Sequence, residues 1–137
     1  MVHKLLFCLL TGILCSLSLT SCEDDSEDRL QAENILGTYI LSSRSFDNIS
    51  DLSVPCCDTL DLIADADPHD LRGVMRAYGT GYDNSGAFTI KPSEGLMEFE
   101  YGSTRRIMPY EQADDQLYLT YEEANQTIQE GWMRISQ

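Results

Sequence analysis

Histidine is scarce in this 137-residue chain, and none of its nucleophiles or bases has the spacing of a catalytic or metal motif. His69, within Asp67-Pro68-His69-Asp70, is the only histidine besides His3. There is no Gly-x-Ser-x-Gly elbow and no His-Glu-x-x-His pair, so serine-type and metalloprotease chemistry lack a base or ligands. Carboxylates number 23, enough that chance pairs must arise and no single pair reads as an acid–base couple. The run from Asp65 to Asp70 is dense in oxygen ligands. It departs from a calcium loop because its sixth position is Asp70 rather than Gly and no Glu closes it at the twelfth. A solvated acidic turn is the expectation there. Cys56 and Cys57 are adjacent, and a bridge between neighbours is strained. Strand alternation would put one sulfur inward and one outward, so a buried cysteine beside an exposed free thiol is expected, not zinc or redox chemistry. The expectation is therefore a protein without catalytic residues, metal or cofactor.

One other sulfur has a context of its own. Residues 1–21 open with His3 and Lys4, continue as an apolar run from Leu5 to Leu19, and turn small and polar before Cys22. These are the three zones of an export leader. The apolar run, about 15 residues, falls short of the ~20 that a retained spanning helix needs. Cys8 and Cys15 lie inside it, and Cys15 follows the bulky Ile13-Leu14. Only Cys22 follows small residues, in Leu19-Thr20-Ser21-Cys22. This stretch resembles the bacterial lipoprotein signal. The resemblance implies cleavage before Cys22, a diacylglycerol thioether on its sulfur and a further acyl chain on its amine. Two or more chains make anchoring stable where one is marginal. The acidic run Glu23 to Asp28 is too charged to bury and reads as an extended tether over 22–34. It resembles the export tag of Bacteroidota surface lipoproteins, which implies the outer leaflet of the outer membrane; a periplasm-facing anchor is the alternative.

Cleavage would leave residues 22–137, one domain's length. The formal charge is −14 for the whole chain, and loss of Lys4 takes it to −15. Nucleic acid needs clustered basic residues and is not an expected partner. The expected partners are the membrane, through the lipid, and a small apolar ligand or an envelope protein; the chain is expected to be monomeric.

The rest of the sequence must supply the scaffold. Eight short apolar runs recur at intervals of about ten to twelve residues: 35–41, 59–64, 74–78, 87–90, 96–101, 105–108, 116–121 and 127–135. Between them lie turn formers, with Asp83-Asn84-Ser85-Gly86 read as a tight turn and Ser42 to Ser53 as a loop. No long stripe of helical period appears. An all-β fold over 35–137 is predicted, a small antiparallel meander barrel of about eight strands, with a β-sandwich as the alternative. Parity places Tyr39, Leu41, Leu60, Leu62, Phe88, Ile90, Met97, Phe99, Tyr101, Leu117, Leu119, Tyr121, Ile128 and Trp132 inward, with Arg134 at one end. These side chains either line a ligand cavity or pack the barrel solid.

Leu36-Gly37-Thr38-Tyr39 resembles the opening Gly-x-Trp signature of lipocalins, with Tyr in place of Trp, and Trp132-Met133-Arg134 resembles their last-strand arginine. The resemblance implies that Gly37, Tyr39 and Arg134 close the barrel, the guanidinium lying on the ring as a cation–π contact. It implies the fold of the lipocalin-like lipoproteins of Bacteroidota, and hence non-catalytic binding. Asp58-Thr59-Leu60 resembles the O-glycosylation acceptor of exported Bacteroidota proteins, which implies a sugar on Thr59; a plain strand-start threonine is the alternative.

Overall fold

Alternating inward and outward residues build nearly the whole molecule. The computed structural model describes residues 32–54, 57–67 and 70–136. One helical turn at 32–35 precedes nine strands: β1 (Gly37–Phe46), β2 (Ile49–Ser50), β3 (Thr59–Ala64), β4 (Arg72–Gly79), β5 (Tyr82–Lys91), β6 (Leu96–Tyr101), β7 (Thr104–Ala113), β8 (Gln116–Glu123) and β9 (Gln126–Ser136). A 3-10 turn, Pro92–Glu94, links β5 to β6. β1 pairs antiparallel with β3, each strand from β3 onward pairs antiparallel with the next, and β9 returns to pair with β1. The result is a closed eight-stranded barrel with β2 as an extra two-residue strand on β1. Closure leaves the barrel strands no open edge.

The interior holds the apolar half of each alternation. Tyr39, Leu62, Phe88, Ile90, Met97 and Leu117 are essentially inaccessible, joined by Leu41, Leu60, Met75, Phe99, Met108, Leu119, Ile128 and Trp132. Each fully buried side chain of this size contributes about 1.5–3 kcal/mol. Tyr101 and Tyr121 are half-buried against this core.

Several sequence expectations need correction. Ile35 belongs to the helical turn rather than to a strand, and its side chain is buried. Residues 42–46 are not loop: β1 continues to Phe46, held by β9, although its side chains there are polar. Asp83 to Gly86 is not a turn but the first half of β5; the chain reverses at Thr80-Gly81. Gly86 serves close approach instead, since a Cβ there would lie 1.9 Å from the Glu100 carbonyl oxygen. Cys57 is not a free thiol. It sits exposed at φ +85° and is disulfide-bonded, and its partner sulfur lies outside the described residues. The readings on Cys22, Cys56 and His69 also fall outside them.

Candidate functional site

The barrel's two ends are built differently. At the end where β1 begins, Gly37 pairs with Leu62 of β3, and a Cβ on it would lie 2.6 Å from the Ser136 carbonyl oxygen. Glycine therefore lets the first and last strands meet. The Arg134 guanidinium stands 5.3 Å from the centroid of the buried Tyr39 ring. Arg134 also donates to the Tyr39 hydroxyl from Nη2 at 2.8 Å and from Nε at 3.2 Å, and to the Asn34 carbonyl. The Tyr39 hydroxyl donates to the Ile35 carbonyl at 2.5 Å. Helical turn, first strand and last strand are thus tied through one phenol. Burial raises the Tyr39 pKa, and the Arg134 charge partly opposes the rise.

The opposite end carries the β1–β2, β4–β5, β6–β7 and β8–β9 turns. Below it the core does not fill the barrel. A cavity of about 100 Å³ is walled by Leu60, Met75, Phe99, Met108, Leu119 and Trp132, with Ala77 beside them. Asn84, Tyr101 and Glu130 form its polar rim. The Trp132 Nε1 is buried and has no hydrogen-bond partner among the described residues, a cost of about 1–3 kcal/mol for an unmade bond.

Above the cavity lies a charged cluster. Glu130 faces inward with Ile128 and Trp132, two residues away on either side along β9. Its Oε1 accepts from Arg44 Nη2 at 2.7 Å, from Arg44 Nε at 3.0 Å and from the Tyr121 hydroxyl at 3.0 Å. Arg44 lies three residues beyond the inward Leu41, which in a regular strand would turn it outward. The β1–β9 register shifts between Leu41 and Ser43. That extra residue re-aims Arg44 into the mouth, the usual work of a bulge. Burial raises the Tyr121 pKa, and the Glu130 charge adds to the rise. Tyr82, on the far rim, is pushed up to about 12, first by burial and then by the neighbouring Asp58 carboxylate. Arg106 of β7 shares inward parity with Met108, sits opposite Phe99 of β6, and stands 5.7 Å from the Tyr121 ring centroid.

A larger depression, about 360 Å³, lies at the β1-start end of the barrel, between the helical turn and the β3–β4 connection, with the inward-facing Phe88 and Ile90 lining it. Its rim is acidic, with Glu33, Asp65, Asp67 and Asp70. Among the described residues no group of three or more His, Cys, Asp or Glu is placed to hold a metal ion.

Of the residues singled out by parity, Phe99, Tyr101, Leu119 and Trp132 come together at the cavity and Tyr121 stands at its mouth, whereas Phe88 and Ile90 lie toward the other end. Leu41 pairs with Trp132 across the β1–β9 seam. Thr59 starts β3, and its hydroxyl donates to the Cys57 carbonyl at 3.3 Å. The sequence reading passed over Arg44, Arg106 and Glu130. For Arg106 and Glu130 the available signal was parity, since each is two residues from an inward apolar side chain. No helix among the described residues is long and apolar enough to cross a membrane, which says nothing of a β-barrel. No protein-family model, curated protein or solved structure matches the chain, and the functional reading rests on these residues.

Proposed function

We propose that this chain is a lipid-anchored envelope protein that binds a small apolar ligand in its barrel and catalyses no reaction. The observation that carries the reading is the interior cavity of about 100 Å³ beneath the Arg44–Glu130–Tyr121 cluster. Binding sites of this kind are apolar hollows with a few placed polar groups. An engineered apolar cavity of about 150 Å³ holds benzene, so this one, about two thirds the size, suits a body of about four carbons. Two methionines in the wall, Met75 and Met108, can adapt to a guest's shape. The anchor is assigned to Cys22 and the location to the outer membrane, on the leader and tether described above.

Native mass spectrometry of the full chain from its expression host tests the ligand. A co-purifying small molecule released on denaturation is expected; bare protein that also ignores added short-chain amphiphiles would overturn the reading. Cys22→Ser should move the protein from the membrane fraction to the soluble one.

A protein partner is the second reading. It is favoured by Ile63 and Val74, cross-strand neighbours on the outer wall that are 58% and 48% exposed. Polar substitution of both would abolish such a role and leave the cavity intact.

A further inference from the structure

Among the described residues, the mouth of the cavity holds one cation with no ion-pair partner. Seven Lys and Arg side chains fall among the described residues. Arg44 pairs with Glu130, Arg72 with Glu100, Arg76 with Asp83, and both Lys91 and Arg105 with Glu98. Arg134 is tied to Tyr39 and Asn34. Arg106 alone among them has neither an ion pair nor a hydrogen bond with a described residue, in a chain with 23 acidic residues. It is also half-buried and inward-facing, where an unmatched guanidinium is hardest to justify by solvation. Its guanidinium stands over the Tyr121 face, whose hydroxyl is engaged with Glu130.

Resting on the ligand reading above, we propose that Arg106 receives the carboxylate of an amphiphilic ligand whose apolar body enters the cavity. Register supports the geometry: Phe99, opposite Arg106, and Met108, two residues along, both wall the cavity. A headgroup at Arg106 and a tail beside Phe99 and Met108 therefore belong to one short molecule. A planar guanidinium matches a carboxylate with two parallel hydrogen bonds. The acidic groups of the mouth do not forbid this. Glu130 is matched by Arg44, and Glu123, two residues beyond Tyr121 on β8, is near enough to act on the Tyr121 phenol but forms no ion pair with Arg106. Asp58 precedes β3, four strands from β7 around an eight-stranded barrel, and so lies across the opening. The chain's overall negative charge is screened beyond about 8 Å at physiological ionic strength.

Trp132 is the only tryptophan and walls the cavity, so its fluorescence reports occupancy. The full chain is titrated with hexanoate, 1-hexanol and hexylamine, three molecules with one tail. Hexanoate should bind roughly tenfold tighter than hexanol, since hydrogen bonds to charged groups are worth about twice neutral ones, and hexylamine should bind weakest. Arg106→Gln should bring hexanoate to the level of hexanol and leave hexanol unchanged, which also shows that the variant is folded. Hexanol binding as tightly as hexanoate, hexylamine binding best, or an acid-to-alcohol ratio that survives Arg106→Gln would each overturn the headgroup assignment while leaving the cavity reading in place. Failure of all three to bind would overturn both.

Discussion

The two ends of the barrel use the same residue types, tyrosine and arginine, to opposite effect. At the β1-start end the Tyr39 hydroxyl and the Arg134 guanidinium meet each other and backbone carbonyls of the helical turn, with Ile35 buried beside them. At the mouth, Tyr121 and Arg44 converge on one carboxylate oxygen of Glu130, Arg106 stands over Tyr121, and the space beneath stays open. The first arrangement pairs its polar groups with the protein itself and ties the first strand to the last. The second leaves a cation and a hollow, which is what a binding site needs and a core avoids.

The sharpest way to break this contrast is at Tyr39. Tyr39→Ala removes a fully buried aromatic ring and the partner of both Ile35 and Arg134, and should cost about 3–5 kcal/mol by denaturant unfolding. Tyr39→Phe keeps the ring but leaves the Ile35 carbonyl and Arg134 short of one partner, about 1–3 kcal/mol. If Tyr121→Ala at the mouth costs as much as Tyr39→Ala, the ends do not differ as described. Glu130→Gln comes next. Removing one member of a fully buried ion pair costs about 3–5 kcal/mol. Arg44 is 23% exposed on its side chain, and solvent screening reduces the expected loss to about 1–2 kcal/mol.

The β1-start end was far easier to read in the sequence than the mouth. Gly37, Tyr39 and Arg134 sit in short motifs at the two chain ends of the barrel, and alternation carries Leu60, Phe99, Leu119 and Trp132 to the interior by simple counting. Counting fails at Arg44, because the irregularity after Leu41 shifts the parity and depends on strand pairing, not on local residue type. It also fails where polar residues hold inward positions. Glu130 lies between Ile128 and Trp132, and Arg106 before Met108, but an inward charge contradicts the pattern used to find strands. Gly86 misled for a different reason: a glycine for close approach and one for a turn are the same letter. The cavity itself is a volume left over after packing, and residue order does not encode it.

Filling that volume sharpens the comparison further. Ala77 sits between Leu60 and Asn84 in the register of β3, β4 and β5, beside the hollow. Ala77→Leu should change stability by less than about 1 kcal/mol, since added apolar bulk enters empty space. It should also weaken hexanoate binding at least tenfold in the Trp132 titration. Unchanged binding would place the ligand somewhere other than the cavity.

The smallest expected effect is alkaline. Tyr82 is raised from 10.0 to about 12, so the folded state favours its neutral phenol. A group with a raised folded pKa contributes its stability fully below the unfolded value and loses it as pH climbs through the folded one. Stability should therefore fall between pH 10 and about 12, and Tyr82→Phe should flatten part of that fall in urea midpoints measured across the range. Exposure of Tyr82, 37%, keeps the contribution modest. The two ends differ in the charge beside the phenol: Asp58 reinforces the shift of Tyr82, whereas Arg134 opposes that of Tyr39. Asp58→Asn should therefore lower the pH at which Tyr82 ionises, read as the tyrosinate absorbance that Tyr82→Phe removes, and an unchanged transition would mean that burial alone, not the carboxylate across the mouth, holds the Tyr82 phenol neutral.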